Sequence, residues 1–235
     1  MIAIFTRELG SYFISPIGYV YLAAFYLFAG YQYTVMILSG QADISAEFSF
    51  LYTVILLLTP ILTMRLMSED KRQKTDQLLF SAPVTLVEIV VGKYLAAVVV
   101  YIIGIGIVLI HAIVISPYTN MNWMLFWGNM LGIVLTGMAS ISVCMLISAQ
   151  TENQIVAAIG GFAMMLLFLS MNSIAGVVEI EPLQKVLYGI SFYSRYYNMT
   201  LGILKVSDMF FFFSFIGTFL FLTTRILEKR RWGEN

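Results

Sequence analysis

Charge is scarce in this chain. Its 235 residues hold 13 Lys and Arg against 13 Asp and Glu, 11% charged in all, and mean hydropathy is +0.89. A chain of that composition cannot cover itself with polar groups, so most of its surface must face lipid. Cysteine and histidine are scarcer still, with one of each. No disulfide can close within the chain and no Cys/His metal site can be assembled. Cys144, in an apolar run, reads as a small core residue. There is no sustained basic patch of the kind nucleic acid requires. Catalytic patterns are also missing: no HExxH, no GxSxG with a His/Asp set, no pair of intramembrane aspartates and no G-x-x-x-x-G-K-[ST] phosphate loop. The chain is therefore expected to hydrolyse no ATP and to bind no cofactor or metal by itself.

What is present is a series of apolar runs. Met1–Ser15 places Ile2, Phe5, Leu9 and Phe13 at helical spacing, with Arg7, Glu8 and Ser11 elsewhere. This suits a short helix in the membrane interface, broken at Ser15-Pro16; a frayed start to the first span is the alternative. The apolar run that follows is too long for a signal-peptide core, so it is expected to stay as a span. At 1.5 Å per residue, six spans are expected: Ile17–Ser39, Phe48–Met67, Tyr94–Ile115, Trp123–Ala149, Ile155–Val178 and Met209–Leu227. Gly40–Glu47 reads as a polar turn, Pro60 as a kink in span 2, and Gly160-Gly161 as a point of close helix approach. Glu179–Asp208 is too polar to span; its apolar residues at helical spacing predict one or two short helices dipping into the interface.

Lys and Arg decide the orientation. With both termini cytoplasmic, the inner segments hold Arg7, Arg65, Lys71, Arg72, Lys74, Lys93, Arg225, Lys229, Arg230 and Arg231. The outer ones hold Lys185, Arg195 and Lys205. Ten of 13 on one side is a positive-inside bias, which puts residues 68–93 and the Gln150–Gln154 turn in the cytoplasm. His111 is the one histidine within a span, and no acidic residue is expected deep enough to partner it. It reads either as a substrate or proton site or as a neutral imidazole bonded to a neighbouring helix.

The long polar passage Ser68–Lys93 stands out against this background. Ser68–Phe80 reads as a helix capped by Ser68, with Glu69 and Asp70 in its first turn and a stop at Ser81-Ala82-Pro83. Thr85 with Glu88 three residues later predicts a capping box on a second helix that runs through Gly92-Lys93 into span 3. Mixed charges with Leu78, Leu79, Phe80 and Leu86 favour a docking surface for a soluble partner over a plain solvated loop.

These residues resemble a family. Glu69-Asp70-Lys71-Arg72-Gln73-Lys74-Thr75-Asp76-Gln77-Leu78-Leu79, Ser81-Ala82-Pro83-Val84 and Gly92-Lys93 are similar to the coupling region of ABC-2-type (type V) permeases, commonly E-x-x-R-x-G-T-L-E-L-L…S-P-V…G-K. Arg7-Glu8-Leu9, Ser11-Tyr12-Phe13 and Ser15-Pro16-Ile17-Gly18-Tyr19 resemble the elbow of the branch with gliding-motility and nitrous-oxide-reductase-maturation permeases. Lys74 stands where Gly is common, and Asp76-Gln77 replaces Leu-Glu. The resemblance implies an all-α six-span permease domain over 1–235, with elbow helix, coupling helices and outer re-entrant helices before span 6. It implies an exporter half in the cell membrane, paired with a second permease chain, as homo- or heterodimer, and with an ABC ATPase that binds ATP and Mg. An extracytoplasmic accessory protein is a further candidate partner. Coupling falls to Glu69, Arg72, Thr75, Asp76, Leu79 and Glu152, and the elbow to Arg7 and Glu8. Spans 1, 2 and 5 would line the dimer interface and the substrate route, with Asn172, Ser173 and His111 as its polar points and an amphipathic or lipid-like cargo. The competing reading is a six-span anchor or scaffold, or an intramembrane enzyme.

Overall fold

The computed structural model of the chain describes residues 1–40, 44–75 and 84–233. Among these residues the structure is helical without strands. Its order is α1 (Ile2–Ile14), α2 (Pro16–Leu38), α3 (Ile44–Thr63), α4 (Ser68–Gln73), α5 (Leu86–Ile115), a 3-10 turn (Ser116–Tyr118), α6 (Trp123–Gln150), α7 (Gln154–Val177), α8 (Glu181–Ile190), α9 (Phe192–Thr200) and α10 (Val206–Gly233). Among the described residues, α2, α3, α5, α6, α7 and α10 belong to the six segments long and apolar enough to cross a membrane.

Lipid is as apolar as leucine, so close fit and buried polar contacts, rather than hydrophobic burial, hold such helices together. α3 and α6 form the centre: two thirds of each spanning window is buried, against 22% for α2, α7 and α10. Small residues permit the closest approaches. Gly161 of α7 lies against Pro60 of α3, where a Cβ would come within 2.9 Å of the proline ring. Gly137 of α6 admits the fully buried ring of Tyr101 of α5, whose hydroxyl donates to the Ile133 carbonyl at 2.5 Å.

Several boundaries differ from expectation. α3 starts at Ile44 rather than Phe48, so Glu47 lies in its first turn, buried, and not in a polar turn. The second helix of the polar passage and span 3 are one continuous helix of 30 residues, α5. Its start is the expected capping box: the Thr85 hydroxyl accepts from the Glu88 N–H at 3.2 Å and the Glu88 carboxylate from the Thr85 N–H at 3.0 Å. The helix expected over Ser68–Phe80 is interrupted: α4 ends at Gln73 and Lys74 takes left-handed dihedrals, φ 56. Ser68 does not cap α4; its hydroxyl turns back to the Met64 carbonyl at 2.5 Å. The expected stop at Ser81-Ala82-Pro83 lies outside the described residues.

Of the apolar residues expected on one side of α1, Phe5, Leu9 and Phe13 are half-buried against the core. Ile4, Glu8 and Tyr12, spaced by four, point inward, whereas Ile2 is exposed. Ile4 packs on Gly92, Tyr12 donates to the Leu62 carbonyl at 3.0 Å, and the charged residue lies between them. Asp208, expected just before span 6, sits in the first turn of α10, fully buried.

Gly137→Ala should lower thermal stability in detergent by about 1–3 kcal/mol, because its Cβ would meet the rigid Tyr101 ring at about 2 Å. Gly106→Ala, with nothing within 4 Å, should be neutral or up to about 1 kcal/mol stabilising.

Candidate functional site

The polar residues of α1, α4 and the start of α5 meet at one end of the bundle. Lys93 is only 2% exposed. Its ammonium lies 2.8 Å from Glu8 Oε1 and 2.7 Å from Asp70 Oδ2, and it donates to the Leu66 carbonyl at 2.9 Å. An ammonium has three protons to donate, and three oxygens from three separate chain segments surround this one. Arg7 adds a second cation at the rim, 3.0 Å from Glu8 and 3.8 Å from Asp70. The Thr75 hydroxyl donates to Asp70 Oδ1 at 2.9 Å. Two carboxylates and two cations therefore balance around Lys93, which carries the main desolvation cost and makes hydrogen bonds to Glu8 and the Leu66 carbonyl besides its ion pair with Asp70.

A second tie holds α4 from α6. The Ser148 hydroxyl accepts from the Met67 and Ser68 N–H groups, each at 3.2 Å, and donates to the Met64 carbonyl at 3.1 Å. It thus satisfies backbone groups that the break between α3 and α4 leaves open. Beside this lies a polar cleft of about 200 Å³, with Ser11, Arg65, Glu69 and Gln73 among its lining. Glu69 pairs with Arg65 one turn earlier and accepts from Gln73 at 3.0 Å, while Arg72 and Lys74 are exposed.

The two chain ends and another turn share this end of the molecule. The amino terminus lies 3.5 Å from Glu88. Glu152, in the turn between α6 and α7, lies 3.4 Å from Arg230 of α10.

Of the expected coupling residues, Glu69, Arg72 and Thr75 thus share α4 and its end, and Glu152 lies on a separate turn at the same end of the bundle. Asp76 and Leu79 lie outside the described residues. Arg7 and Glu8 reach directly into the α4 contact. Asn172 and Ser173 lie on α7, half-buried and exposed, away from this site. His111 is at the other end of α5, and the expectation that it lacks an acidic partner is wrong: Glu47 meets it at 2.6 Å. That carboxylate was assigned to a turn because it stands close to Asp43 and Gly40, where charge and turn residues cluster. Sequence reasoning also missed Lys93 and Ser148. Lys93 follows Gly92 at the end of the polar passage, which invites a solvated reading, and a lone serine in an apolar run gives no signal.

At the membrane's other face Arg195 of α9 and Asp208 of α10 pair at 2.7 Å, and Asn198 donates to the same carboxylate at 2.9 Å. The second of the two short helices between spans 5 and 6 is thereby fastened to the last span.

Comparison with known proteins gives the class. The pattern described as ABC-2 family transporter protein matches residues 12–224, nearly the whole chain. The chain belongs to that family: it is a permease subunit of an ABC transporter, a multi-pass protein of the plasma membrane that works with an ATPase and is not itself one. No curated protein matches it.

Lys93→Met should destabilise the protein by about 3–5 kcal/mol, since it strands the Glu8 and Asp70 carboxylates. Adding Glu8→Gln and Asp70→Asn should recover most of that loss, which thermal unfolding of the single and triple variants in detergent will show. Lys74→Gly should raise stability by about 1 kcal/mol in the same assay, because glycine adopts the left-handed backbone without strain.

Proposed function

We propose that this permease is half of an ATP-driven exporter and that α1 and α4 are the elements on which its ATPase subunit acts. The observation that carries this is the Lys93 cluster. α4 is only six residues long and presents Arg72, Gln73 and Lys74 outward, yet its Asp70 is bound through Lys93 to α5 and through Arg7 to α1. A push on α4 is thus borne by α1, α3, α5 and α6 together. A solvated loop has no need of a buried lysine.

Several features support the rest of the reading. Ten of 13 basic residues fall on the side of α1 and α4, a bias that supports reading that side, with both termini, as cytoplasmic. α1 then acts as the elbow, α4 as the described part of the coupling region, and α8 and α9 as the outward, re-entrant pair. Glu152 gives the ATPase a second, weaker contact beside Arg230. A second permease chain completes the pathway. α3 is largely committed to its own core, so α2 and α7 offer the wider free faces, and Asn172 and Ser173 lie on the latter. A route lined by Tyr, Phe, Met and small residues suits an amphipathic or lipid-like cargo.

The test is co-purification with the ATPase in mild detergent, followed by ATP turnover. Glu69→Ala with Arg72→Ala should abolish permease-stimulated turnover while membrane insertion is retained. Unchanged turnover, or no associated ATPase under any condition, would contradict the coupling role and favour an anchor or scaffold.

A further inference from the structure

At the end of the bundle opposite Lys93, three helices converge on a second polar group. Glu47 of α3 is fully buried, and its Oε1 lies 2.6 Å from Nδ1 of His111, four residues before the end of α5. The ring of Tyr33, from α2, stacks on the imidazole with centroids 4.1 Å apart and planes 15° apart. Glu47 Oε2 is buried with no hydrogen-bond partner. Among the described residues, the titratable groups that face one another here are Tyr33, Glu47 and His111. α6 and α7, which also pack on α3, contain no charged residue, and α2 contains none. The charged residues of α5, Glu88 and Lys93, lie at its other end; Lys93 is about 27 Å from His111 along the helix axis.

Proton count decides what this group can be. With no titratable proton between them, the two side chains place a net negative charge in an apolar environment; with two, a net positive one. Either is unfavourable away from water. With one proton the pair is neutral overall, as carboxylate with imidazolium or as carboxylic acid with imidazole. In either form the short Nδ1–Oε1 contact is a hydrogen bond. We propose that Glu47 and His111 together form a binding site for one proton, which clasps α3 to α5 at this end of the permease. The proposal is independent of what the transporter carries and of how the ATPase docks.

His111 is the only histidine of the chain, so an imidazole label reports on one site. The full chain, purified without a histidine tag and reconstituted in lipid nanodiscs, is labelled with nitrogen-15 at histidine. At pH 7 its ring shifts should match either a doubly protonated ring or a neutral ring. In the second case infrared spectra should contain a protonated carboxyl band that Glu47→Gln removes and Glu47→Asp only moves; the Asp variant serves if Gln prevents folding. A neutral ring beside an ionised Glu47 at pH 7 would overturn the proposal.

Discussion

The rest of this structure depends on a lysine that cannot reach water. A buried ammonium is tolerable only if its charge is balanced, and Lys93 obtains this from the Glu8 and Asp70 carboxylates, with a further hydrogen bond to the Leu66 carbonyl. Those oxygens come from α1, from α4 and from the connection between α3 and α4. The cost of burying one charge thereby becomes a constraint on three segments, each of which must be in place for the other two to be stable. A helix of six residues has little stability of its own. α4 is ordered because Lys93 and Ser148 hold it from α5 and α6.

That arrangement lets an exposed face and a buried site coexist in one short element. Glu69, Asp70 and Thr75 turn toward their neighbours, while Arg72 and Lys74 remain exposed. The left-handed backbone at Lys74 closes α4 and redirects the chain after a single turn and a half. In the related coupling pattern glycine is common at that position, which fits a backbone conformation that disfavours any Cβ. Here a lysine adopts it, held on one side by the Asp70–Thr75 contact. The other end of the bundle repeats the principle with Glu47 and His111. Polar pairs thus fasten both ends, while close-packed glycines such as Gly137 and Gly161 join the middle.

The parts legible in the sequence were those with strong one-dimensional signals. Six spans follow from length and hydropathy, and the Thr85–Glu88 box follows from a spacing of three residues that owes nothing to tertiary structure. What was illegible has one physical cause. In a soluble protein an apolar stripe marks the inward face, but in lipid both faces are apolar and the polar residue marks the interior. Phe5, Leu9 and Phe13 are therefore only half-buried against the core, and Glu8, the charge between Ile4 and Tyr12, marks the most deeply buried line of α1. Glu47 and Lys93 were misread in the same way, as boundary charges belonging to water. Each is a buried partner of a residue more than 60 positions away, a distance over which sequence periodicity carries no information.

The central claim is that α1, α4 and the start of α5 move as one body. It is tested most directly by the distance between spin labels at Ala3 on α1 and Gln73 on α4, both exposed, in the complex with its ATPase. The native cysteine, Cys144, is buried and should leave the labels confined to the introduced sites. The account predicts one narrow distance, unchanged between nucleotide-free and ATP-bound complexes and broadened by Lys93→Met. A distance that shifts with nucleotide in the unaltered chain would mean that α4 moves without α1, and the cluster would then be a passive tether.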